Sequence, residues 1–229
     1  YVNRFPQSKV GNYAQLLETS SGRVLLQDDG FLKGANWMPQ SNLLYYTRTG
    51  LNGREFVTVD PVTLEEKVLC ESLPEGHFYI APNEITFLFS KEEEGPKESK
   101  DLIRVLEPSD RLPGFRNRSF IWRYNLDNGL FEQLTYGYND TYINDISPDS
   151  RYVLFSTNER VYTSLPHSRN SLYKLDLQTM AVDTLWERAK YVNLAQFSPD
   201  GKQLLVSGSA DAFDGIGRNV PEGMITNSY

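Results

Sequence analysis

The 229-residue chain is poor in the residues that build most metal and redox sites, with one cysteine, Cys70, and two histidines, His77 and His167. A single thiol excludes an intrachain disulfide and with it the disulfide-stapled secreted scaffolds. Cys70, in "KVLCESL", reads as a small buried hydrophobe at a strand end. Two distant histidines and one cysteine do not make a zinc cluster. No apolar run approaches the roughly eighteen residues of a membrane span, and no signal peptide opens the chain. Bases are outnumbered by acids, 23 to 30, for a formal net charge of -7. That balance argues against nucleic acid or an anionic membrane as partner, because either needs a basic field. Helical periodicity is nearly missing as well: "LWERAKYVNL" is the best short segment, and it is read as a turn.

What is present is 39% hydrophobic and 13% aromatic residues, enough for a sizeable core, and two recurring words. The first is an apolar strand, a Pro-centred turn and a second strand: "ANWMPQSNLLYYT", "FYIAPNEITFLFS", "NDISPDSRYVLFS" and "AQFSPDGKQLLVS". Its prolines, Pro39, Pro82, Pro148 and Pro199, lie 43, 66 and 51 residues apart. The second word is an alternating strand ending on an acid or amide: "FVTVDPVTLEEKVL", "IWRYNLDNGLFEQL" and "LYKLDLQTMAVDTL", marked by Asp60, Asn125 and Asp176.

Period-two alternation rich in Val, Leu, Tyr and Phe suits half-buried antiparallel strands, and Pro with Asp, Asn or Gly suits their turns. Four short strands per unit, repeating at about 40 to 50 residues, is the pattern of a β-propeller blade. The expected fold class is therefore all-β, a partial β-propeller of four-stranded antiparallel blades. About four to five blades are represented across residues 1–229. Three complete ones lie at about 33–70, 76–135 and 140–186, an incomplete one starts at 192, and the first 25 or so residues supply strands of a preceding blade. The chain opens on Tyr1 without Met and stops at "MITNSY", so it is read as a piece of something longer.

Period lengths differ because the loop between the second and third strands varies. It is read as Lys91 to about Ser119 in one blade, "TNERVYTSLPHSRNS" in the next, and a loop from Gly208 in the last. Such loops all emerge on one face, where a partner or substrate is expected. The 91–119 loop holds acids and bases in equal number, so it makes no strong field, and Glu92 to Glu94 read as a charged, solvated loop tip.

Catalytic sets are hard to assemble. No Gly-x-Ser-x-Gly nucleophile elbow occurs, and the two histidines read as polar surface residues, so no hydrolytic triad is expected in this chain. "DAFDGIG" lacks the acidic ladder of a calcium loop, and "GIGRNV" lacks the third glycine of a dinucleotide fingerprint. No metal and no cofactor is expected. Asp145, in "YINDIS", is the one inner-strand acid, and a propeller glycosidase needs a pair.

The hairpin words "ISPDSRYVLFST" and "FSPDGKQLLVSGS", the outer words "SLYKLDLQT" and "FIWRYNLDNG", and above all "GSADAFDGIGRNVPEG" resemble the N-terminal propeller of prolyl oligopeptidase and dipeptidyl peptidase IV type serine peptidases, bacterial members especially. The resemblance covers essentially the whole chain. It implies a propeller that caps a C-terminal α/β-hydrolase domain carrying the Ser, Asp and His, and that restricts access to peptides. The family's glutamate pair follows an aromatic-rich helical motif, which Glu92 to Glu94 do not, so that role is not carried over. In the Gly208 to Gly223 loop, Asp214, Arg218 and Glu222 are the candidates for contacting substrate or the neighbouring domain.

The Ser-Pro-Asp-Gly hairpins also resemble TolB-like propellers, so a non-enzymatic periplasmic binding propeller is the alternative expectation. Localisation is read as periplasmic or otherwise extracytoplasmic, with the cytoplasm left open. Exposed blade edges lead to an expectation of a homodimer, domain swapping, or a further segment that pairs with them.

Overall fold

The computed structural model of the chain describes residues 14–28, 34–95, 105, 115–164, 166–208 and 212. They divide into two compact units that meet in sequence between Glu75 and Gly76. Among the described residues there is no α-helix, and every sheet is antiparallel.

In the first unit β1 (Ala14–Leu17) and β2 (Val24–Asp28) form a hairpin, and β3 (Asn36–Trp37), β4 (Leu44–Thr49), β5 (Arg54–Val59) and β6 (Glu66–Leu73) form a four-stranded sheet in sequence order. Leu44, Tyr46, Val57 and Val59 of the sheet pack with Ala14, Leu16 and Leu26 of the hairpin.

The second unit holds two further sheets and a hairpin. Strands β7 (His77–Ile80), β8 (Thr86–Glu93), β9 (Arg118–Asn125) and β10 (Phe131–Gln133) make one sheet. Strands β11 (Thr141–Ile146), β12 (Tyr152–Arg160), β13 (Ser168–Asp176) and β14 (Val182–Ala189) make the next, and β15 (Val192–Phe197) pairs with β16 (Leu204–Gly208). Each sheet pairs only strands adjacent in sequence, so each is a meander, the local connection that tight turns favour.

Inner strands differ from the half-buried alternation expected of them. Phe56, Val57, Thr58 and Val59 of β5, Thr86 to Phe89 of β8, and Val153, Leu154 and Phe155 of β12 are all buried, so both faces of these strands are covered. Stacking explains this in the second unit. Val153, Phe155 and Leu175 pack toward Leu88, Ile121 and Leu134 of the preceding sheet, while Leu154 and Leu172 pack toward Ala195, Phe197, Leu204 and Val206 of the following hairpin. A strand covered on both faces is written as a continuous apolar run.

Three loop readings are corrected; in "TNERVYTSLPHSRNS", Thr157 to Arg160 belong to β12 and Ser168 to Ser171 to β13, paired with one another. Lys91, Glu92 and Glu93 belong to β8, paired with Phe120, Ser119 and Arg118, because β8 and β9 extend beyond the apolar core as a two-stranded ribbon. The Lys91 ammonium lies 4.7 Å from the Trp122 ring centroid, a contact that a strand register provides and a free tip does not. "LWERA" is likewise β14 rather than a turn. Its polar residues are exposed because β14 is an edge strand, with only Trp186 and Ala189 half-buried.

The turns repeat to the atom. In the outer words, the side-chain Oδ1 of Asp60 accepts from Val62 and Thr63 N–H, that of Asn125 from Asp127 and Asn128, and that of Asp176 from Gln178 and Thr179. Each turn then places its fifth residue at positive φ: Leu64 at 62°, Gly129 at 70° and Met180 at 59°. In the inner words, Ser147 and Ser198 donate to Asp149 and Asp200, which in turn accept from Arg151 and Lys202 N–H. Short-range capping of this kind is why Asp and Asn recur at these markers.

Candidate functional site

The end of each sheet opposite these turns carries the connections that differ. In the second unit they are the segment between β8 and β9, the turn from β10 to β11, and the loop from β12 to β13. Their described residues converge on Phe115.

Arg118 opens β9 and clasps this end. Its Nη1 donates to the carbonyls of Phe115 (2.7 Å) and Asn117 (2.8 Å), and its Nε to the carbonyl of Tyr138 in the next connection. Arg169, only 7% exposed, repeats the clasp one blade later. It donates through Nη1 to the carbonyls of Pro166 and Ser168, and through Nη2 to Ser164 Oγ at 2.6 Å. Each arginine stands seven residues before its blade's Asn125 or Asp176 marker. That spacing is written in the sequence, although nothing in the sequence alone singles it out; it ties down the entry to the third strand by charge-assisted bonds to backbone carbonyls.

A buried hydroxyl chain fixes the connection between the two sheets. Ile121 N–H donates to Thr135 Oγ1 (2.8 Å), Thr141 Oγ1 donates to the Ser119 carbonyl (3.1 Å), and the 2.7 Å Thr135–Thr141 contact is then a bond given by Thr135. Asp140 accepts from Ser119 N–H at 2.7 Å. With both ends of "TYGYNDTY" anchored, Tyr136 and Tyr138 stand out 72% and 93% exposed.

Arg160, the last residue of β12, completes the group. Its guanidinium carbon lies 5.8 Å from the Phe115 ring centroid and that of Arg118 lies 5.9 Å from it. Burial pushes the Tyr142 hydroxyl up, aided by the nearby Asp140 carboxylate, while Arg160 and Arg118 pull it down. The site is thus two cations around one ring, one acid, and exposed phenols. Its chemistry is recognition of an anion flanked by apolar or aromatic surface.

The other candidates expected from the sequence fall elsewhere. Asp214, Arg218 and Glu222 lie outside the described residues. Asp145 is a strap rather than a free acid: its Oδ1 accepts from Ile146 N–H (2.8 Å) and its Oδ2 from Phe197 N–H (2.7 Å) in the following hairpin. His167 faces the Val161 carbonyl at 3.3 Å, and His77 stacks edge-on against Tyr79. Among the described residues no cluster of three or more His, Cys, Asp or Glu side chains is arranged to hold a metal ion.

No family model matches the chain and no curated protein matches it. Solved structures do. The acylaminoacyl peptidase of Pyrococcus horikoshii, in its orthorhombic crystal form, superposes with a TM-score of 0.58 at 14% identity, over 86% of this chain and 31% of that one. An acylaminoacyl peptidase in complex with Z-Gly-Gly-Phe-chloromethyl ketone superposes with a TM-score of 0.54 at 11% identity, over 89% and 35%. TolB from Acinetobacter baumannii gives 0.41 at 19% identity, over 85% and 42%. The chain thus spans less than half the length of each of these proteins. At such identities the likeness is one of fold, and the fold class is all-β, a partial β-propeller of four-stranded antiparallel blades.

Proposed function

We propose that this chain is the N-terminal propeller of a serine peptidase of the prolyl oligopeptidase and dipeptidyl peptidase IV type, which admits and positions short peptides for a separate C-terminal α/β-hydrolase domain. The observation that carries the reading is the asymmetry of the blades: one end is closed by repeated capped turns, and the other presents Phe115, Arg118, Tyr138 and Arg160 on strand ends and connections that differ from blade to blade. The superposition on two acylaminoacyl peptidases supports it, as does the stretch "GSADAFDGIGRNVPEG".

In this reading the chain supplies no reacting atom. Its rigid sheets exclude folded proteins, and its loop end orients a peptide so that the reaction at the serine of the other domain loses less entropy. An extracytoplasmic setting and pairing of open blade edges belong to the same proposal.

The test is intact mass spectrometry of the natural product together with fluorophosphonate labelling. A mass two to three times that of this chain with a single labelled serine is expected. A product near this mass, or a longer one that takes no label, favours a binding propeller instead.

A further inference from the structure

The geometry points to a carboxylate-binding site at Arg160 and Arg118, which fixes one acidic group of a bound peptide; this deepens the peptide-handling reading above and rests on it. Three observations converge. First, the two guanidiniums share the Phe115 ring, at 5.8 and 5.9 Å from its centroid, instead of facing acids. Neither forms an ion pair within 4.0 Å among the described residues, in a chain whose net charge is -7 and whose Arg48, Arg123, Arg151 and Arg188 all do. Second, Asp140, the acid of the group, is engaged by Ser119 N–H. Third, Arg118 is already held through Nε and Nη1 by three carbonyls, so its Nη2 edge is oriented at no further cost in side-chain freedom, while Arg160 is exposed.

The exposed Arg160 guanidinium offers a planar fork that matches a carboxylate, and the Nη2 N–H groups of Arg118, already oriented by its three carbonyl bonds, add a single contact at a lower entropy cost. Two cations beside one acid suit a monoanion better than a polyanion, which the overall negative charge also repels. The exposed phenols of Tyr138 and Tyr142 add flat amphipathic surface of the kind that packs on peptide side chains. Such a carboxylate comes from a peptide's C-terminus or from an Asp or Glu side chain, and the experiment separates the two.

The 229-residue chain is titrated calorimetrically with three versions of one tetrapeptide: free C-terminus, C-terminal amide, and C-terminal amide with one internal Glu. At least one acidic version is expected to bind about tenfold more tightly than the neutral amide. Arg160→Gln is expected to erase that difference, and Arg160→Lys to restore part of it. Preference for the free C-terminus identifies the chain end as the source, and preference for the Glu peptide identifies a side chain. Equal binding of all three versions, or a preference that survives Arg160→Gln, overturns the carboxylate site and leaves the peptide reading standing. No binding of any version overturns both. Matching circular dichroism melts of wild type and Arg160→Gln exclude misfolding as the cause.

Discussion

The two ends of each blade are built by different rules. At the turn end the same capped geometry recurs in all three four-stranded sheets, with Asp60, Asn125 and Asp176 at equivalent positions and Leu64, Gly129 and Met180 at equivalent positive φ. At the loop end nothing repeats among the described residues except the arginine clasp, and Tyr136 and Tyr138 stand exposed there. The lesson is that the first end holds the blades and the second is free to vary. The turn end is where substitution should alter stability, and the exposed side chains of the loop end are where it should not.

The largest effect is expected at Asp145, which joins one blade to the next beside the turn end. Asp145→Ala leaves the N–H groups of Ile146 and Phe197 without their carboxylate acceptor. Losing a charge-assisted bond and stranding a partly buried donor costs about 2–3 kcal/mol, read as a lower urea midpoint. Asp145→Asn keeps one carbonyl acceptor and should lose less. An unchanged midpoint for Asp145→Ala would dissolve the distinction between strap and free acid.

The equivalent turn positions allow a paired test of opposite sign. Gly129 sits at φ 70° with only Tyr124 Oη, at 3.9 Å, near the place of a Cβ, so Gly129→Ala is strained by its backbone alone. A loss of about 1 kcal/mol is expected. Met180 holds the same conformation at 59° and is 43% exposed, so Met180→Gly relieves strain while removing little packing. The left-handed penalty exceeds the extra chain entropy of glycine, for a net gain of about 0.5 kcal/mol. Urea midpoints moving the same way for both would show that the two turns are not equivalent.

These turns also show what can be read from the sequence. An Asp that caps N–H groups two and three residues ahead is a local device, so its spacing is printed in the chain, and the Pro-centred hairpins are local in the same way. Strand limits are less legible at the edges, because β14 exposes polar and apolar residues alike and "LWERA" has no alternation to announce it. The varying second-to-third-strand loops point to this end of the blades, but the residues of its site are not legible: Phe115, Arg118, Tyr142 and Arg160 come from one connection and three strands, and no periodicity links them. Only the tyrosine density of "TYGYNDTY" hints at it. The candidates of the Gly208 loop, Asp214, Arg218 and Glu222, lie outside the described residues.

A smaller effect appears only in acid. Arg151, with help from the N–H groups of Gln178 and Thr179, holds the Asp176 carboxyl well below the usual range, and the N–H groups of Val62 and Thr63 lower that of Asp60. Asp149 and Asp200 are lowered by Ser147 and Ser198. Each folded pKa lies below its unfolded value of about 3.9. Their stabilisation is therefore complete above that value and disappears as pH falls through the depressed folded one. Urea midpoints measured from pH 7 to pH 2 should fall in the acid range. Asp176→Asn, which keeps a carbonyl acceptor but cannot titrate or pair in charge with Arg151, should flatten that fall by lowering the neutral midpoint toward the acid one. An identical pH profile for the variant would place the acid sensitivity away from the turns.

The smallest expected change in stability is at the loop end. Tyr138 is 93% exposed and its backbone carbonyl, not its side chain, receives the Arg118 bond. Tyr138→Ser removes almost no buried area, so its urea midpoint should match wild type to within about 0.5 kcal/mol. The same variant should weaken tetrapeptide binding severalfold, because an exposed phenol contributes only by what it packs against when a ligand arrives. A residue that stabilises the fold does the reverse, as Gly129→Ala should: a shifted midpoint with binding intact. If Tyr138→Ser moves the midpoint by more than Gly129→Ala, the loop end is structural and the division between the two ends fails. If it moves neither midpoint nor binding, the division holds and the ligand contacts lie on other connections of that end.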